Sequence, residues 1–283
     1  GGTTDVLIVN DGKEELLTSF RFAANSIWGD GYAFDSDSNG FANRFKDEIL
    51  NKLSENGLDE LCKVMQKLYE QKKTVDIISF FFSLATNKNV LSKGIKIDFN
   101  NMLAQDGRSK YVFILFYVAI IYHIANIMKV KGMTMPRHIT FSGTGSKVLT
   151  VLTPNNTTLE KFTKLIFEAV YGQPYSEDGL TIVRELENPK EATCKGGLLN
   201  AQPQDYSDIM DLKQTLLGDA SNTFVSGGLR YEDVGENLEK DIQDEVKKAI
   251  QLYFDLNKKF SYTEKFEAER SQWETVQKYC QKD

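Results

Sequence analysis

The chain has 283 residues, of which 41% are hydrophobic and 26% charged, with a formal net charge of −6. This balance is that of a folded globular protein; the interspersed signs leave no basic footprint for nucleic acid, and five prolines without a low-complexity tract exclude a disordered chain. Cys62, Cys194 and Cys280 are odd in number and far apart, which points to free thiols in a reducing, cytoplasmic setting and excludes a disulfide scaffold.

The chain opens on Gly1-Gly2-Thr3-Thr4-Asp5, a small-residue turn running straight into the apolar stretch Val6 to Val9. Asn10-Asp11-Gly12 predicts a hairpin turn, and Leu16 to Phe22 the return strand. Neither an initiator Met nor a signal peptide precedes it, so the expectation is an excised fragment that begins inside a motif. An apolar stretch through Trp28 then leads to Gly29-Asp30-Gly31. The Asp, Ser and Asn residues from Asp35 to Gly40 mark a boundary.

Residues 41–106 read as helical. Phe41, Phe45, Ile49 and Leu53 fall four apart, Leu58, Leu61, Met65 and Leu68 continue at helical spacing, and Asn56-Gly57 separates the two helices. Thr74 to Ala85 is a third, more apolar helix, and Ile95-Lys96-Ile97 a candidate strand. The Phe80-Phe81-Phe82 cluster reads as core, with a partner groove as the alternative. Tyr111 to Met128 approaches the ~20 residues of a membrane span. His123 and Asn126 interrupt it, and Arg108 and Lys129 bound it, so it is expected to be a core helix and no membrane partner is assigned. His123 and His138 have no Cys pair near them at metal spacing and read as packing or surface residues.

His138 to Thr150 carries the most specific local signal. Ile139, Thr140 and Phe141 predict the end of a buried strand; Ser142-Gly143-Thr144-Gly145-Ser146 predicts a tight turn, and Val148, Leu149 and Val151 a helix. A strand, a glycine turn and a helix start converge several backbone N–H groups on one point, which suits a phosphate or a nucleotide ring. Two other nucleotide motifs fail: Val148 stands where the dinucleotide fingerprint needs its third glycine, and no Gly-Lys-Ser/Thr occurs. Beyond the turn, Thr157 and Glu160 have capping-box spacing before a helix ending near Gly172, and Leu180 to Val183 is a strand. Asn188, Pro189 and Glu191 predict a helix start, Met210 to Leu217 a strand, and Asn237 to Leu256 an amphipathic helix. Phe266 to Tyr279 predicts a last helix anchored by Trp273 and Val276.

Three of these stretches, in order, resemble the actin-like ATPase superfamily of actin, the heat-shock chaperones and the sugar kinases. Residues 1–5 look like the end of its second phosphate motif, Asp-x-Gly-Gly-Gly-Thr-x-Asp. Gly143-Thr144-Gly145-Ser146 resembles its adenosine motif, usually Gly-Gly-x-Ser. Asn188 to Gly197 resembles its closing small-residue helix, usually Pro-x-x-Ala-x-x-x-Gly-Ala. The resemblance covers roughly the first 200 residues and implies an α/β fold, the C-terminal lobe of such an ATPase. Residues 1–35 and 107–200 would form the nucleotide-binding lobe, 36–106 an inserted helical subdomain, and 201–283 a mostly helical C-terminal extension.

The resemblance further implies ATP with magnesium as cofactor. Gly2, Thr3 and Thr4 would sit at the phosphates, Asp5 near the metal, and Gly143, Thr144, Gly145, Ser146 and Lys147 around the adenosine. It implies an opposing N-terminal lobe as partner, and further protein partners at the inserted helices or the C-terminal helices. No catalytic base and no metal ligand are assigned. ATP turnover by this chain alone is not expected, because one positioned donor already contributes about a hundredfold in rate and a whole lobe far more. The alternative is a non-catalytic interaction module that keeps the fold.

Overall fold

The computed structural model describes residues 2–20, 22–28, 40–176, 179–185, 191, 236–269 and 274–275, and shows a mixed α/β protein that is mostly helical. Strands β1 (Thr4–Asn10) and β2 (Lys13–Phe20) form an antiparallel hairpin. Its two-residue turn places Asp11 at φ 48° and Gly12 at φ 76°, the left-handed pair that the right-handed twist of a hairpin favours. A bulge between Ile8 and Val9 adjusts the register. Thr4, Val6 and Ile8 face inward and are half-buried, whereas Asp5, Leu7 and Val9 face outward.

After α1 (Ala24–Trp28) come α2 (Phe41–Arg44), α3 (Lys46–Glu55), α4 (Asp59–Glu70), α5 (Thr74–Ser83), α6 (Lys88–Ser92) and α7 (Phe99–Gln105). Ile49, Leu53, Met65, Ile77, Phe81 and Phe99 are buried together, and Phe113 and Val151 from later elements complete this cluster. Phe81 is core, as its spacing implies, but Phe82 beside it is 37% exposed. Residues 95–97 are not a strand. Their alternation imitates one, yet Ile97 is simply buried in a loop that ends at Asp98, whose carboxylate caps α7 by accepting from the Asn101 amide.

Helix α8 (Gly107–Val130) is long and apolar enough to cross a membrane, and half of its most apolar window is buried inside the molecule. Tyr111, Ile114, Tyr117, Val118, Ile121 and Ala125 pack into the larger core. Strand β3 (His138–Phe141) pairs in parallel with β4 (Thr181–Arg184), and this pair is a separate sheet from the hairpin. β3 is not fully buried: Ile139 and Phe141 are half-covered, while His138 and Thr140 face outward, because a two-stranded sheet is packed on one side only.

Between them lie α9 (Val148–Leu152) and α10 (Asn156–Tyr171). The predicted box at Thr157 and Glu160 does not cap α10. Asn155 does, accepting from the Thr158 amide at 3.2 Å, and Glu160 instead accepts from the Ile182 amide at 2.9 Å, tying the helix to β4. Gly172 ends the helix in the left-handed region, at φ 74°.

Helix α11 (Glu236–Phe260) lies along α8, and α12 (Tyr262–Lys265) turns back beneath α10. Tyr253, Tyr262 and Phe266 surround Phe162, with ring centroids 6.4, 4.4 and 5.1 Å away. Phe266 therefore closes the larger core from a turn. It does not open a helix, since Glu267 has φ 55°, although Glu274 and Thr275 are helical. The remaining residues of that predicted helix, the closing small-residue helix except Glu191, the Met210 to Leu217 strand and Gly29-Asp30-Gly31 lie outside the described residues.

Candidate functional site

The glycine turn forms as its composition dictates. Gly143 has φ 79°, a conformation that strains a residue bearing a Cβ. The Gly143 carbonyl accepts from both the amide and the hydroxyl of Ser146, at 3.1 and 2.8 Å, closing a 3₁₀ turn over Thr144–Lys147 that leads into α9. The Ser146 hydroxyl proton is thus engaged inside the turn, and the side chain is buried. Lys147 is exposed.

Arg184, at the end of β4, was not singled out from the sequence. Its guanidinium donates to the carbonyls of Leu149, Thr153 and Pro154 and to Asn156 Oδ1. It therefore fixes α9, the helix into which the turn leads, against the start of α10.

At the other predicted motif, Thr4 Oγ1 donates to the Phe22 carbonyl at 2.6 Å, joining the start of β1 to the segment that leads into α1. Asp5 accepts from Ser19 Oγ at 2.6 Å on the outer face of the hairpin. Its carboxylate is thus directed by strand alternation to the side opposite Thr4. Thr3 is exposed.

Helix α1 stands between the two motifs. A Cβ added to Gly2 would lie 3.8 Å from Asn25 Nδ2, and one added to Gly145 would lie 3.8 Å from the Ala24 Cβ. Consecutive residues of one short helix therefore lie beside both stretches, with room at each for no more than a methyl group. Beside them opens a cavity of about 500 Å³, within the range of roughly 300–1,000 Å³ usual for small-molecule sites.

Gly145, Lys147 and Val148 form one wall of the cavity, and Ala24, Asn25 and Trp28 a second. The third comes from α5 and α7, with Ile78, Ser79, Phe82, Phe99 and Asn100 among its residues. Trp28 and Phe82 meet edge to face at 6.0 Å. The polar groups are few: Asn100 donates to Thr150 Oγ1 at 3.2 Å, and Asp98 is 3.3 Å from the Lys96 ammonium. Such a site can hold a planar aromatic group against apolar walls and offers one exposed cation, Lys147, at the turn.

Of the predicted residues, Gly145 and Lys147 line the cavity; Gly2 abuts a lining residue; Gly143 and Ser146 build the turn; Thr4 and Asp5 serve the hairpin. Asn25, Trp28, Ser79 and Asn100 were missed, since they come from separate elements with no shared spacing. Among the described residues, no three His, Cys, Asp or Glu side chains gather as a metal-ligand set.

A second concavity of about 550 Å³ runs between the hairpin end, α8 and α11. It is almost wholly apolar, with Phe22, Val112 and Val246 exposed along it. His123 forms part of its wall, edge-on to Phe20 at 4.7 Å, and burial pushes its imidazole down to about 4, so it is neutral at physiological pH.

Compared with protein-family models, curated proteins and solved structures, the chain finds no match.

Proposed function

We propose that the chain is the nucleotide-binding lobe of an actin-like ATPase, with adenine nucleotide entering the cavity bounded by Gly145, Asn25, Trp28 and Phe82. The observation that supports this reading is that α1 lies beside both stretches of the sequence that resemble nucleotide motifs, and lines with Gly145 and Lys147 a cavity of nucleotide size. The base would lie between the aromatic wall and the backbone of the turn. Stacking on such side chains contributes about 1–3 kcal/mol per base, which makes the base the natural anchor. Lys147 would contact the nucleotide at the turn, and magnesium would enter as the counter-ion of its phosphates.

Calorimetric titration with Mg-ATP tests the proposal. One lobe buries only one face of the nucleotide, so the expected Kd is high micromolar to millimolar, about 4–6 kcal/mol. Ser79→Phe, which fills the cavity from an exposed position, should abolish the binding heat without lowering the melting temperature. Absence of binding to the folded protein at millimolar nucleotide would reject the proposal.

The apolar concavity along α8 favours a second reading, a non-catalytic interaction module. Under that reading nucleotide gives no heat, while Val112→Asp and Val246→Lys leave the fold intact and remove a protein contact.

A further inference from the structure

The floor of the 500 Å³ cavity is the seam between α7 and α9, where the buried side chains of Leu103 and Val151 close it. Asn100, in the first turn of α7, crosses this seam and donates from Nδ2 to Thr150 Oγ1 on α9 at 3.2 Å. Thr150 in turn donates to the Lys147 carbonyl at 2.6 Å. A threonine hydroxyl has one proton to give, so with that proton committed Thr150 can only accept from Asn100. Turned the other way, the carboxamide would set its oxygen against the Thr150 oxygen with no proton between them.

The network therefore fixes the carboxamide, with its nitrogen on Thr150 and its oxygen, Oδ1, left as an acceptor. Among the described residues nothing donates to Oδ1. Thr150 is held in place as well, because Arg184 bonds the Leu149 and Thr153 carbonyls on either side of it. The other polar side chains of the cavity do not offer the same thing. Both oxygens of Asp98 are engaged, one by the Asn101 amide and one by Lys96. The Ser79 hydroxyl gives or accepts as its guest requires, and Lys147 only gives. Among the described residues no hydrogen bond fixes the Asn25 carboxamide.

We propose that Asn100, held in one orientation by Thr150, selects the ring edge that enters the cavity, favouring a 6-aminopurine over a 6-oxopurine. The amino group donates to Oδ1, whereas a keto oxygen would meet Oδ1 lone pair to lone pair. Asn100 is thus the specificity residue and Thr150 the positioning residue behind it. That the ring belongs to a nucleotide rests on the function proposed above.

NMR titration of the isotope-labelled full chain with Mg-ATP and with Mg-ITP tests this, since the two nucleotides differ only along that edge of the base. The wild-type chain should bind ATP about tenfold or more tighter than ITP, the order expected when an acceptor replaces the donor a site is built for. In Thr150→Val the carboxamide is free to turn and present its NH₂ group, so ITP should bind about as well as ATP. Thr150→Ser keeps the hydroxyl and should keep the preference. Asn100→Leu should lower ATP to the level of ITP. Equal binding of the two by the wild-type chain, or an unchanged preference in folded Thr150→Val, would overturn the assignment of Asn100 and leave the nucleotide-binding reading standing. Binding of neither nucleotide would reject that reading, and the role of Asn100 with it.

Discussion

The two hydrophobic cores are assembled in opposite ways. The smaller is built almost entirely from neighbours in sequence, the helices between Phe41 and Gln105, with Phe113 and Val151 as the two additions. The larger brings together α8, α10, β4 and the segment from Tyr253 to Phe266, so residues more than a hundred positions apart meet around Phe162. Local contacts cost little chain entropy to close, and long-range ones more, so the smaller core should form early and the larger only once α11 docks. The candidate cavity sits on the wall of the smaller core and reaches the glycine turn at Gly145 and Lys147.

Core truncations test this division with the largest effects. Phe162→Ala, at a fully buried ring, should cost about 3–5 kcal/mol and speed hydrogen exchange in α10, α11 and α12 before α3 and α4. Phe81→Ala should cost a similar amount but strike α3, α5 and α7 first. Equal loss of protection in both regions from either variant would break the comparison.

Acid should sharpen it. His123 titrates at about 4 in the folded state against 6.5 unfolded, because burial disfavours its charged form. Between those values the unfolded chain binds the proton first, so this contribution is fully present above pH 6.5 and is lost as pH falls toward 4. Allowing for the ring's partial exposure, about 1–2 kcal/mol should disappear over that window, and His123→Phe should remove that dependence. Glu245 shares the same concavity, so chemical denaturation of Glu245→Gln across the same pH range separates its contribution. The smallest effect belongs to one cap: Asn155→Ala frees the Thr158 amide and should cost about 1 kcal/mol, readable as a lower denaturant midpoint with unchanged slope.

The same contrast decides what could be read from the residues. Helical periodicity found α3, α4 and α11, continuous apolar runs found α5 and α8, and Asp11-Gly12 found the hairpin, because those signals are local. Ile95 to Ile97 misled because alternation cannot say whether a partner strand exists; here Ile97 is buried by tertiary packing alone. The box at Thr157 and Glu160 misled because Asn155 lies two residues earlier and is the better acceptor, freeing Glu160 for Ile182. Phe266 sits in a turn because the ring cluster around Phe162 claims it, a contact across about a hundred residues. At the site, Gly145 was visible through its turn, whereas Asn25, Ser79 and Asn100 became neighbours only through folding.

Photolabelling with an 8-azido adenine nucleotide, followed by peptide mapping, tests the central claim most directly. Label is expected on peptides containing Trp28 and residues 75–82, which face the glycine turn across the cavity, and excess unmodified ATP should suppress it. Label confined to residues 112–123 along the apolar concavity, or label that ATP does not displace, would contradict the nucleotide assignment.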